Sequence, residues 1–131
     1  MNISNYLATA LLNQVFRNAN YTRPTTVHVA LYTSNPTAAD TGQEVTGGAY
    51  ARQAVTFGAP AVVGGIQTIK NSAEIAYPVA TAIWGQVTHI GIRDAATGGN
   101  LLYYGALTDP KSILTNDIFK FSVGQVSIDL S

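Results

Sequence analysis

A mainly β domain, an antiparallel β-sandwich or jelly-roll entered through one N-terminal α-helix, is the fold class that this sequence predicts. Two observations carry it. After Pro24 the apolar residues change from a spacing of four to a spacing of two, and turn residues then recur roughly every 8 to 12 positions to the end of the chain. Helical periodicity is confined to the first twenty or so residues, which leaves too few helices for a parallel βαβ sheet.

The helix is expected over about residues 4–18. Leu7, Leu11 and Val15 recur at four-residue spacing, flanked by Ala8, Leu12 and Phe16, and form an apolar stripe wide enough to lie on a sheet or on a neighbouring molecule. Ser4 can cap its first turn, and Asn18, Asn20 and Pro24 supply the stop. Leu7, Leu11, Val15 and Phe16 are the candidate assembly interface.

Alternation begins at Val27. Val27, Val29 and Leu31 share one face of a strand and His28, Ala30 and Tyr32 the other, until Ser34-Asn35-Pro36 ends it. Residues 37–48, rich in Ala, Thr, Asp and Gly, read as a long surface loop. Tyr50 to Phe57 alternates again and predicts a strand. A turn-prone stretch through Gly58, Pro60, Gly64 and Gly65 follows, and then a strand signal from Gln67 to Ala76 ends at Tyr77-Pro78.

Two strand signals, Val87 to Arg93 and Leu101 to Leu107, flank Asp94-Ala95-Ala96-Thr97-Gly98-Gly99-Asn100 and predict an antiparallel hairpin. A second loop is expected over Thr108 to Asp117. Strands are then predicted over Ile118 to Val123 and Val126 to Leu130, with Gly124-Gln125 as a bulge or turn between them. The whole chain, 1–131, reads as one domain with the sandwich over about 25–131.

Composition narrows the function. Seven acids balance seven bases and charged residues make up only 11% of the chain, so no basic stripe exists to gather phosphates and nucleic acid is not an expected partner. The absence of cysteine excludes a disulfide framework, a thiolate zinc cluster and a cysteine nucleophile. No apolar run approaches the roughly 20 residues of a membrane span, and the first residues have no leader pattern, so a soluble, unprocessed product of a bacterial cytoplasm is expected. With 47% hydrophobic residues and so few charges, part of the apolar surface is expected to lie against other subunits.

Catalytic, metal and cofactor sites are not expected. His28 and His89 fall in separate strands and read as satisfied or solvent-facing. Asp40 with Glu44, and Asp109 with Asp117, match no calcium loop and read as solvated loop acids. Glu44 and Glu74 lack the aromatic and polar company of a glycosidase pair. Trp84-Gly85 reads as an indole closing one end of the core beside a residue that lets the chain turn.

Four strings, in order along the chain, carry a resemblance. They are Ala30-Leu31-Tyr32-Thr33-Ser34-Asn35-Pro36, Gly47-Gly48-Ala49-Tyr50-Ala51-Arg52-Gln53, Trp84-Gly85-Gln86-Val87-Thr88-His89, and the run from Asp94 to Gly105. With them the chain resembles a family of small tailed-bacteriophage virion proteins usually labelled phage tail fibre proteins. The resemblance implies an exterior structural protein of the virion. A capsid decoration or cement protein is the first expectation and a tail component, such as a short fibre, baseplate or adaptor module, is the alternative. Partners are then other copies of the chain, as a trimer by analogy with decoration proteins, together with the major capsid protein or tail proteins of the same particle.

Overall fold

The computed structural model describes residues 1–130. Ser131 lies outside the described residues. In chain order the elements are β1 (Asn2–Ile3), α1 (Asn5–Phe16), β2 (Val27–Tyr32), β3 (Gln53–Val55), β4 (Ala61–Val63), β5 (Ile66–Lys70), β6 (Ile75–Ala76), β7 (Gly85–Arg93), β8 (Leu101–Ile113), β9 (Lys120–Phe121) and β10 (Ser127–Leu130). All pairings are antiparallel.

One layer is a five-stranded sheet in the order β1-β8-β7-β2-β3, and the facing layer is divided into β10-β5-β4 and β6-β9. The alternation of β2 sets the core. Val29 lies opposite Ile92 and Leu31 opposite Ile90, and this face shares a core with Ile75, Tyr77, Phe119, Phe121 and Val126 of the second layer and with Trp84, which immediately precedes β7. The result is a sandwich with a helix, as the sequence predicts.

The reverse face of β2 is also buried. Tyr32 is packed so closely over Gly91 that a Cβ there would come within 2.8 Å of its ring and 2.7 Å of Leu101, so only glycine fits. Chain on this side is tied down at the start of the helix: Ser4 Oγ donates to Leu101 O and accepts from Leu7 N, and Asn5 N donates to Ala38 O. Ser4 is therefore both helix cap and anchor. At the other end Asn18 takes a positive φ of 54°, and the chain reverses so that Ala19 N reaches Asn13 O.

Several strand boundaries differ from the sequence reading, each for a local reason. The strand expected from Tyr50 shortens to Gln53–Val55, because Gly47, Gly48 and Ala49 all have positive φ and Tyr50 turns its hydroxyl inward to Leu31 N. β4 lies inside the stretch read as turns, since Gly64 and Gly65, with φ of 59° and 81°, form a two-residue hairpin turn closing β4 on β5. The strand expected over Gln67 to Ala76 divides at Asn71. This residue is 1% exposed, and its amide donates to Ala73 O and Ser122 O and accepts from Val126 N, replacing a ladder by a side-chain pin.

The loop expected from Thr108 is instead a continuation of β8. The ladder to β7 passes from His89 opposite Ala106 to Val87 opposite Lys111, so residues 107–110 stand opposite Thr88 alone as a wide bulge before pairing resumes. Pro110, which has no N–H, sits in that bulge where no donor is required. The strand expected over Ile118 to Val123 is only Lys120–Phe121.

Candidate functional site

The predicted interface residues divide into two groups. Leu7 packs on the core cluster and Leu11 is half-buried, so the first two turns of α1 are attached to the chain's own body. The last turn is not: Leu12, Val15 and Phe16 are 58%, 65% and 77% exposed. Their i, i+3, i+4 spacing makes them neighbours on one helix surface, and α1 carries no charged side chain at all. Leu12 is exposed beside Val15 and Phe16, while Leu7 packs on the core and Leu11 is half-buried.

A second apolar patch lies where β7 begins and β8 ends. Ala80 N donates to Asp117 O and Asn116 N to Ala80 O, which binds the segments 79–83 and 114–118 side by side. Val79, Ile83, Leu114 and Ile118 on these segments are all exposed. Next to it, a cleft of about 820 Å3 runs between β8 and β9, with Ile90, Ile113 and Phe121 inside and Asp109, Lys111 and Lys120 at its rim.

Two arginines fasten the hairpin turn after β7 to the loop before β3. Arg93 donates to Asp40 Oδ1 and Oδ2 at 2.8 and 2.9 Å, to Tyr32 Oη at 2.9 Å, to Gly99 O at 2.9 Å and to Gly98 O at 3.3 Å. Arg52 grips Glu44 with two bonds of 2.8 Å and reaches Ala95 O and Gly98 O. Gly98 O thus accepts from both guanidinium groups. Asp94 closes the turn from inside by accepting from the backbone and side chain of Asn100.

The electrostatics follow this geometry. Burial acts to lower the Arg93 pKa, but the Asp40 carboxylate and the Tyr32 hydroxyl outweigh it and the guanidinium is held more firmly charged than usual. Burial acts to raise Glu44, and the bonds from Arg52 and Tyr50 reverse this to a net lowering. The Tyr50 hydroxyl is pushed far up by burial and by its donation to Glu44 Oε2, so it stays a neutral donor. Asp40 and Glu44 are therefore partners of fixed arginines, not the solvated loop acids that the sequence suggested. Nothing in the local sequence announces this, since Asp40 and Arg93 are 53 residues apart.

The other sequence candidates have structural places. Trp84 is buried against Tyr50 and Tyr77 and donates Nε1–H to Gly48 O at 2.8 Å, and Gly85 turns the chain with φ of 89°. His89 Nδ1 meets Thr88 Oγ1 at 2.7 Å, whereas His28 Nδ1 is buried without a hydrogen-bond partner among the described residues. Glu74 lies at the surface 3.9 Å from Lys120. No helix among the described residues is long and apolar enough to cross a membrane.

The family profile described as podophage GP4 fiber I protein gp80 matches residues 2–129. The chain belongs to that fibre protein family. The match over nearly the whole length takes in the helix, both sheet layers and both arginine clasps. Membership makes it a phage structural protein with a tail-related role and a component of the virion. No curated protein matches the chain.

Proposed function

We propose that this gp80-family chain is a non-enzymatic module on the exterior of a podophage tail, held in place by apolar contacts with other copies and with neighbouring tail proteins. The observation that carries the reading is the exposure of Leu12, Val15 and Phe16 on a helix with no charged side chain within Asn5–Phe16. A second cluster, Val79, Ile83, Leu114 and Ile118, supports it. Apolar patches of this kind mark contact sites, and at about 25 cal/mol per Å2 their burial against a neighbour stabilises an assembly without any bond being made or broken. The two arginine clasps fit the same role, because they give the turn at 94–100 a fixed shape that a loop of small residues would not hold alone.

The description of the family as a fibre supports a tail position ahead of the capsid-cement position expected first from sequence. Copy number separates the two. Quantitative mass spectrometry of purified particles is expected to give on the order of ten copies per virion, a number set by the closed symmetry of a tail, with impaired adsorption when the gene is deleted. Hundreds of copies, with normal adsorption and reduced heat resistance of the deleted particle, would establish the cement role instead.

A further inference from the structure

Between the polar face of α1 and the chain that follows it lies a pocket of about 520 Å3, within the range that holds a small ligand. Asn5, Thr9 and Asn13 stand four residues apart along one side of the helix, turned away from Leu7 and Leu11, with Tyr6 and Ala10 beside them. The other wall is Ala19, Asn20 and Tyr21. Two bonds hold that wall in place: Ala19 N donates to Asn13 O, and Tyr21 N donates to Gln14 Oε1. The helix itself is fixed at its start by Ser4 on Leu101 O and by Asn5 N on Ala38 O.

Helix stability does not account for these side chains. Asparagine, threonine and tyrosine are weaker helix formers than the lysine, glutamate or glutamine usual on a solvated helix face. Tyr6 is nevertheless 41% exposed, and its ring stands 6.3 Å from that of Tyr21 at an angle of 70°. The polar groups are also idle. Arg52, Arg93 and Asn71 use their donors inside the protein. By contrast the Asn5 and Asn20 amides, the Thr9 hydroxyl and the hydroxyls of Tyr6 and Tyr21 make no side-chain hydrogen bond among the described residues. Asn13 is half engaged: its Oδ1 accepts from Arg17 Nη1 at 3.0 Å, which leaves the Nδ2 donors.

We infer that this pocket binds a neutral saccharide unit. A sugar ring presents an apolar C–H face and a rim of hydroxyls that both donate and accept. Two tyrosine rings set nearly at right angles cover the first, and the amides and hydroxyls supply donors and acceptors for the second. No Lys, Arg, Asp or Glu is among the described residues that line the pocket. A phosphate, carboxylate or ammonium would therefore lose its hydration there with no opposite charge in exchange. A wholly apolar ligand would leave the amides unpaired. Leu12, Val15 and Phe16 take no part in the lining, so this recognition is separate from the assembly contacts proposed above.

Amide NMR spectra of the isotopically labelled full chain, titrated with the methyl glycosides of glucose, galactose, mannose, rhamnose and N-acetylglucosamine, test the inference. At least one glycoside is expected to shift the backbone amides of Tyr6, Thr9, Asn13, Asn20 and Tyr21 saturably, with a Kd on the order of 1 mM for a single ring. Tyr6→Ala and Asn20→Ala should each weaken that binding at least tenfold with unfolding midpoints unchanged, and glucuronate should bind at least tenfold more weakly than the neutral sugar. No shift of these amides by any of the glycosides at roughly 50 mM, native-like binding by both variants, or glucuronate binding as tightly would overturn the inference. Each of those results leaves the copy number per virion untouched, so the assembly reading stands or falls separately.

Discussion

Arg93 donates all five of its N–H groups within the protein and is only 7% exposed, so its removal leaves the Asp40 carboxylate, the Tyr32 hydroxyl and Gly99 O without this donor and Gly98 O with Arg52 alone. Breaking a buried pair costs about 3–5 kcal/mol. Asp40 is 36% exposed and recovers some solvation, so Arg93→Ala is expected to lower unfolding free energy by about 2–3 kcal/mol in urea titration. Arg93→Lys should recover little, because an ammonium cannot serve both carboxylate oxygens and both turn carbonyls. Asn71→Ala, which strands the buried Val126 N–H and removes the donor to two part-buried carbonyls, should cost about 2 kcal/mol by the same measurement. Glu44 gives a dependence on pH. Its folded pKa lies below the ordinary value of 4.5, so its stabilising contribution is complete above that pH and fades as the pH falls through the lower folded value. Thermal midpoints should therefore drop on acidification below about pH 4.5, and Glu44→Gln should be less stable at neutral pH with a flatter acid limb.

Helix α1 shows how far an element can be read from its residues. The four-residue spacing, the Ser4 cap and the Asn18 reversal are all local, and the structure has each where the sequence places it. Which half of the stripe touches the body is not local, and only the sheet decides that Leu7 is covered while Val15 and Phe16 are left exposed. The hairpin of β7 and β8 was legible for the same reason as the helix cap. Its turn signals lie within seven residues of one another, whereas the pin at Asn71 reaches Val126 across 55. β4 was hidden by its own punctuation, since glycines and proline around two valines look like loop until Ile66 pairs with Val63. The strand read as ending at Leu107 was cut short because a bulge hides the ladder that resumes at Lys111. From this division of the helix, Leu7→Ala should destabilise the fold by about 2 kcal/mol or more. Replacing Val15 and Phe16 with serine should leave the unfolding midpoint nearly unchanged.

At the scale of the whole molecule the fold leaves a good deal of apolar surface outside its core. One core joins the two β-layers, the arginines fix the turn after β7, and large apolar side chains remain outside at the helix end, at the paired loops around Ile83 and Ile118, and on β4. Composition foretold this. A chain with 47% hydrophobic and 11% charged residues has too little polar material to cover itself, although the sequence did not say which residues would stay exposed. Membership of the fibre family places those surfaces on a phage structural protein with a tail-related role.

The claim that assembly through apolar contact is the work of this protein is tested most directly by the variant carrying Leu12→Ser, Val15→Ser and Phe16→Ser, supplied to particles formed without the native chain. Its copy number per virion is read against its unfolding midpoint. The account requires a variant that folds like the native chain yet is depleted at least tenfold from purified particles. Incorporation at the native level by a normally folded variant would contradict it.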